Sequence, residues 1–192
     1  MNRFQIDVDH FSWLDGAADD PDDLCLHGHV TVHLGSVKQA YTGTVSATAL
    51  YLLKTLTEDK VMDPHDIQMV PCCGFFLAAN ADQSEVTIIG CDNGLDWSTI
   101  HENGGVRLTL ASGESEWLDL PFYRAQVLAF ADKVAAYYRA CQPKNLPTDA
   151  FARSGYTAFW NEWHRRYDEA AQLSSLHAEM PPDGGAGPAG LP

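Results

Sequence analysis

Positive charge is scarce in this sequence: 12 lysines and arginines stand against 26 aspartates and glutamates, for a formal net charge of −14. That balance disfavours binding to phosphate backbones or anionic membranes, and it suits either a basic partner or plain solubility. No apolar run approaches the roughly twenty residues a membrane-spanning helix needs, and residues 1–13 lack the basic start and apolar centre of a secretion signal. A cytoplasmic protein without membrane contact is expected. Cysteine is sparse as well. Five, an odd number at irregular spacing, argue for reduced thiols rather than a disulfide framework. There is no G-x-S-x-G elbow, no G-x-x-x-x-G-K-[ST] loop and no G-x-G-x-x-G loop, so Ser-His-Asp hydrolases and nucleotide-binding classes move down the list, and no cofactor is expected.

What the sequence has instead is strand and turn chemistry. Across residues 85–120, Val86 and Ile88, Leu95 and Trp97, then Val106, Leu108 and Leu110 recur at period two, separated by Asn93-Gly94, Asn103-Gly104 and Ser112-Gly113. Asn-Gly supplies the positive φ angles of tight hairpins, so the stretch reads as an antiparallel meander. Phe4, Ile6 and Val8 alternate with Gln5, Asp7 and Asp9 in a half-buried N-terminal strand, and residues 37–41 offer another. The apolar run 67–79 reads as one buried strand, with Pro71 and Gly74 marking a bulge or an edge. On such a strand Cys72 and Cys73 point to opposite faces, which argues for inert, buried thiols and against a shared metal.

Helical periodicity marks three further segments. Ser46 can cap a helix over 46–57 whose Ala49, Leu50, Leu53 and Leu56 form an apolar stripe. Asp119-Leu120-Pro121 opens a long helix that packs through Val127, Ala131, Val134, Tyr138 and Cys141 and stops at Gln142-Pro143. Thr148 or Ser154 can cap a last helix with an aromatic stripe of Tyr156, Phe159, Trp160, Trp163 and Tyr167, while Glu162, Arg165 and Arg166 fall on another face. Such a stripe suits core packing, and it also suits a partner-binding or homo-oligomeric surface. The expectation is an α+β protein: an antiparallel sheet with helices on one face in a single domain over 1–176. A disordered Pro/Gly/Ala-rich tail over 177–192 should follow.

Two stretches carry candidate chemistry. In LCLHGHVTVHL, residues 24–34, Leu24, Leu26, Val30, Val32 and Leu34 face one way and Cys25, His27, His29, Thr31 and His33 the other. His27 and His29 could ligate one metal, with His33, Asp7 or Asp9 nearby, which would make a metal-dependent hydrolase or oxygenase. An ordinary exposed or helix-covered sheet face gives the same pattern. The segment DGAADDPDD, residues 15–23, concentrates aspartates around Gly16 and Pro21 without the ligand spacing of an EF-hand, so it reads as a solvated loop and a possible docking surface.

Three pieces together, CDNGLDWSTIHENGGVRL, LPFYRAQVLAFADKVAAYYRA and GYTAFWNEWHRRYDEA, spanning residues 91–169, resemble small acidic bacterial immunity proteins of polymorphic or contact-dependent toxin systems. The resemblance implies a non-enzymatic protein that occludes the active site of a cognate toxin and makes no direct contact with nucleic acid. Many such toxins are basic nucleases, to which an acidic inhibitor would be steered. The acidic positions such a partner would meet are Asp19, Asp20, Asp22 and Asp23 in the first loop, then Asp92, Asp96, Glu102, Glu114 and Glu116 around the meander.

Overall fold

The computed structural model describes residues 4–17, 19–63, 66–74 and 76–179. The alternating N-terminal residues form β1 (Phe4–Ser12), antiparallel to β2 (His27–Leu34), which pairs in turn with β3 (Val37–Thr44). Register sets Phe4 opposite Leu34, Ile6 opposite Val32 and Val8 opposite Val30, so one face is apolar and buried. An irregularity between Asp9 and Ser12, with His10 at a positive φ of 51°, bends the end of β1 out of register.

β3 runs directly into α1 (Val45–Lys54), which is apolar nearly all round and sits in the middle of the molecule, against β2, α2 and α3. Ser46 is not its cap. Thr44 occupies that position without a side-chain bond, and the N–H groups of Val45 and Ser46 donate to the carbonyl of Leu26 at 2.8 and 3.3 Å. A neighbouring backbone carbonyl thus satisfies the donors that a serine was expected to serve.

The apolar run 67–79 is two short strands, not one. β4 (Val70–Pro71) pairs with β7 (Gly94–Leu95), and β5 (Phe76–Ala79) pairs with β6 (Val86–Ile89). Pro71 cannot extend the ladder through its nitrogen, and Phe76 is 52% exposed, which a buried central strand would not allow. The meander is therefore shorter than residues 85–120. It consists of β8 (Trp97–Glu102), β9 (Gly105–Leu110) and β10 (Ser115–Asp119), and the β8–β9 turn has Asn103 and Gly104 at φ 49° and 77°.

Asp119 ends β10 and caps α2 (Leu120–Ala140) by accepting from the N–H of Phe122 at 2.9 Å, with Pro121 in the first turn. The α2 stripe, from Tyr123 through Val127, Phe130, Ala131 and Val134, is buried, as are Val106, Leu108 and Leu110 of β9, against which α2 lies. α3 (Ala150–Glu179) is capped by Asp149, whose carboxylate accepts from Ala152 N–H at 2.9 Å, in place of Thr148 or Ser154. It crosses β5, where Gly155 admits the carbonyl of Leu77 into a space that a Cβ would fill. Antiparallel sheets packed with three helices make this an α+β fold. α3 continues through Glu179, and the rest of the expected tail, residues 180–192, lies outside the described residues. No helix among the described residues is long and apolar enough to cross a membrane.

Candidate functional site: an acidic strap beside an aromatic cleft

The aspartate-rich loop is a strap, held from several sides. Asp23 accepts from the N–H groups of Leu14 and Cys25, at 2.7 and 2.9 Å, and Asp20 accepts from that of Asp22 at 2.8 Å. Asp19 takes the N–H of Gln142 at 2.9 Å, and Asp22 takes the side-chain amide of Asn145 at 2.8 Å, so the strap is tied to the chain leaving α2. Lys144 completes the tie, donating to the carbonyl of Asp20 while its ammonium lies 3.1 Å from the centroid of the Trp13 ring. Burial holds that ammonium below the usual lysine range.

Gln142 and Lys144 also line a cleft of about 540 Å³ between α2 and α3. Trp160 forms its aromatic wall, packed edge-on to Tyr138 at 5.0 Å between centroids and stacked with His164 at 5.6 Å. Exposed Asp132 and Asp168 stand on the rim, and Asp132 accepts from the Tyr167 hydroxyl at 2.7 Å. That bond and partial burial raise the Tyr167 phenol above its ordinary range. The aromatic stripe of α3 is therefore graded: Phe159 belongs to the core, Tyr156 and Trp163 are buried but border the cleft, and half-buried Trp160 and Tyr167 reach further into it.

The remaining acidic candidates separate by environment. Asp92 is exposed on the loop before β7, and Glu114 is exposed in the β9–β10 turn, where Ser112 donates to it and holds its carboxyl below the usual range. Glu116 is half-buried beside Gly35, and Glu102 pairs with Arg107 on the adjacent strand. Asp96 is buried. It accepts from Lys60 at 2.7 and 2.9 Å and from Met69 N–H at 2.9 Å, which gives it a structural role inside the fold.

His27, His29 and His33 share the less buried face of β2, as their alternation requires. His29 meets Thr42 at 3.1 Å and packs 6.4 Å from the ring of His10, and His27 lies 3.5 Å from Thr44. Among the described residues, the one metal-capable cluster is instead Cys72, Cys73 and Cys91, with sulfurs all within 4.8 Å of one another. Cys72 and Cys91 are joined in a disulfide, contrary to the expectation of reduced thiols, and the Cys73 sulfur sits 3.3 Å from that of Cys91. Adjacent cysteines can converge here because residues 72–74 have left the strand, so alternation no longer separates their side chains. The loop is pressed in place by glycines. A Cβ at Gly43 would collide with the carbonyl of Pro71, one at Gly90 with that of Cys73, and one at Gly94 with that of Val70. Such a trio can exchange disulfide partners internally: a Cys73 thiolate attacks the Cys91 sulfur, and Cys72 leaves as thiolate. Cys25, by contrast, is half-buried, and desolvation pushes its thiol up to about 12, so it stays protonated.

Residue periodicity also misplaced the charges of α3. Glu162 and Arg166 were expected on a separate face, yet both are buried, 0% and 7% exposed, within the packed side. Glu162 stands three residues after Phe159, Arg166 stands three after Trp163, and that spacing held the signal. The same holds for Arg124, which stands three residues before Val127 on the apolar stripe of α2 and is itself buried. In comparisons with known proteins, no family model, no curated protein and no solved structure matches the chain.

Proposed function

We propose that this protein acts by binding a basic partner protein, in the manner of an immunity protein that covers the active site of a bacterial toxin, without performing chemistry itself. The observation that supports this most is how the fold uses its few cations. Lys54, Lys60, Arg107, Lys133, Arg165 and Arg166 pair with carboxylates of the same chain, Arg124 is buried, and Lys144 is drawn onto Trp13. Exposed acids such as Asp22, Asp92, Glu114, Asp132 and Asp168 outnumber the remaining exposed cations among the described residues, Lys38, Arg139 and Arg153, and set the sign of the field at the surface.

The strap and the cleft supply the two halves of a recognition surface. The strap presents negative charge from a backbone already fixed, so little entropy is lost on docking. The cleft offers Trp and Tyr faces, with Asp132 and Asp168 set against Arg139 and Lys144 in its lining, so its fit to a lysine or arginine of the partner rests on the aromatic faces and the aliphatic stem more than on net charge. Co-expression with the product of the adjacent gene tests the reading: a basic protein that forms a stable complex, and protection of the host, are expected. A basic neighbour that neither co-purifies nor is neutralised would remove it.

A further inference from the structure

Arg124 is 5% exposed, and among the described residues its Nη1 has no hydrogen-bond partner and its guanidinium forms no ion pair. Burial alone pulls its guanidinium below the usual arginine range, with no acid acting in the opposite direction. Arg166, close by, is different: it donates to Glu162 at 2.8 Å, to Glu58, and to Thr57 at 3.3 Å. Both arginines line a cleft of about 360 Å³ between the end of α1, the start of α2 and the later turns of α3. The rest of its wall is largely apolar, from Leu53, Leu56, Ala170 and Leu173.

A buried cation without a counter-charge is among the costlier arrangements in a protein interior, because the lost hydration is not replaced. A neutral side chain of similar shape would fill the same space more cheaply. The volume falls within the range of small-molecule sites, and an apolar wall ending at an unpaired charge is the form such sites take. A guanidinium in that position matches a carboxylate, which can accept two parallel N–H bonds from it. Glu169 stands at the same cleft, and its charge opposes a dianion more than a monoanion.

We propose that this cleft binds a small amphiphilic monocarboxylate, its carboxylate on Arg124 and its hydrocarbon part against Leu53, Leu56 and Ala170. The site is separate from the strap and the aromatic cleft, and it stands or falls independently of the partner-binding reading.

Calorimetric titration and thermal melting of the full chain with octanoate, octanamide and inorganic phosphate test the proposal. Octanoate is expected to bind at one site and raise the melting temperature. Octanamide, of the same shape without the charge, should bind about tenfold or more weakly, as befits a lost charge-assisted hydrogen bond. Phosphate should not compete. Arg124→Met should fold at least as stably as the wild type, since it removes an unpaired buried charge, and should lose octanoate selectivity. Ala170→Met, which narrows the cleft and leaves Arg124 in place, should weaken octanoate as well. Equal binding of octanamide and octanoate, tighter binding of phosphate, no octanoate binding, or a large loss of stability in unliganded Arg124→Met would each overturn the proposal.

Discussion

Glu162 of α3 accepts a hydrogen bond from the backbone N–H of Val86 in β6 at 2.8 Å, joining two elements 76 residues apart in the chain. The same carboxylate takes Lys54 of α1 at 3.1 Å and Arg166 of its own helix at 2.8 Å, and Arg166 continues to Glu58. One fully buried acid thus fastens α3 to α1 and to the edge of the β5–β6 hairpin.

Glu162→Gln should destabilise the protein by about 3 kcal/mol in urea unfolding at neutral pH, because it leaves two cations facing a neutral amide. Burial pushes the Glu162 carboxyl up, but the Val86 N–H, Lys54 and Arg166 together hold it below the ordinary glutamate range. A carboxyl with a lowered folded value contributes its full stability above the unfolded value, near 4.3, and loses it as pH falls through the folded one. Wild-type stability should therefore decline through that acidic window, and the Glu162→Gln variant should decline less steeply there. Parallel acid-unfolding curves would remove Glu162 as the cause.

The close approach of the 70–74 loop to its glycine neighbours gives a second expectation. Gly90→Ala sets a methyl group against the carbonyl of Cys73 and should destabilise by about 1–3 kcal/mol, as over-packing does. Gly104→Ala, which meets no neighbouring atom but has a φ of 77°, should be milder, at about 1 kcal/mol. Chemical denaturation of both variants checks the order, and a reversed order would contradict the close packing of this loop.

Thiol chemistry gives a third. With Cys72 joined to Cys91, thiol titration of the unfolded, unreduced chain should find three thiols outside the disulfide, those of Cys25, Cys73 and Cys141. Peptide mapping after incubation at mildly alkaline pH should find Cys73–Cys91 alongside Cys72–Cys91, and Cys73→Ser should leave only the latter. Five titrated thiols would mean that the bond does not form.

Much of the scaffold was legible in the residues, and what was missed has a common cause. Period-two alternation located β1, β2 and the β8–β10 meander, Asn103-Gly104 marked its hairpin, and Asp119 with Pro121 marked the start of α2. The failures came where tertiary partners replace local ones. Leu26 lends its carbonyl to the start of α1, so Ser46 need not cap; Gly43, Gly90 and Gly94 draw the 70–74 loop off a strand path, so Cys72 and Cys73 converge. Period alone could not show that Glu162, Arg166 and Arg124 occupy packed positions, since a charged residue on an apolar stripe has the same spacing whether it is buried or turned outward. The acidic candidates were visible as a set, but their division into exposed Asp92 and Glu114 and structural Asp96 depends on Lys60, which is 36 residues from Asp96 in sequence.

The central claim, recognition of a basic partner through surface acids, is tested most directly by the association rate with the protein product of the adjacent gene, measured at low and high salt. The account predicts fast association that slows by about tenfold or more as salt rises, and slower low-salt association for Asp22→Lys, Asp92→Lys and Glu114→Lys, with the differences shrinking at high salt. Association that ignores salt and all three charge reversals would contradict it.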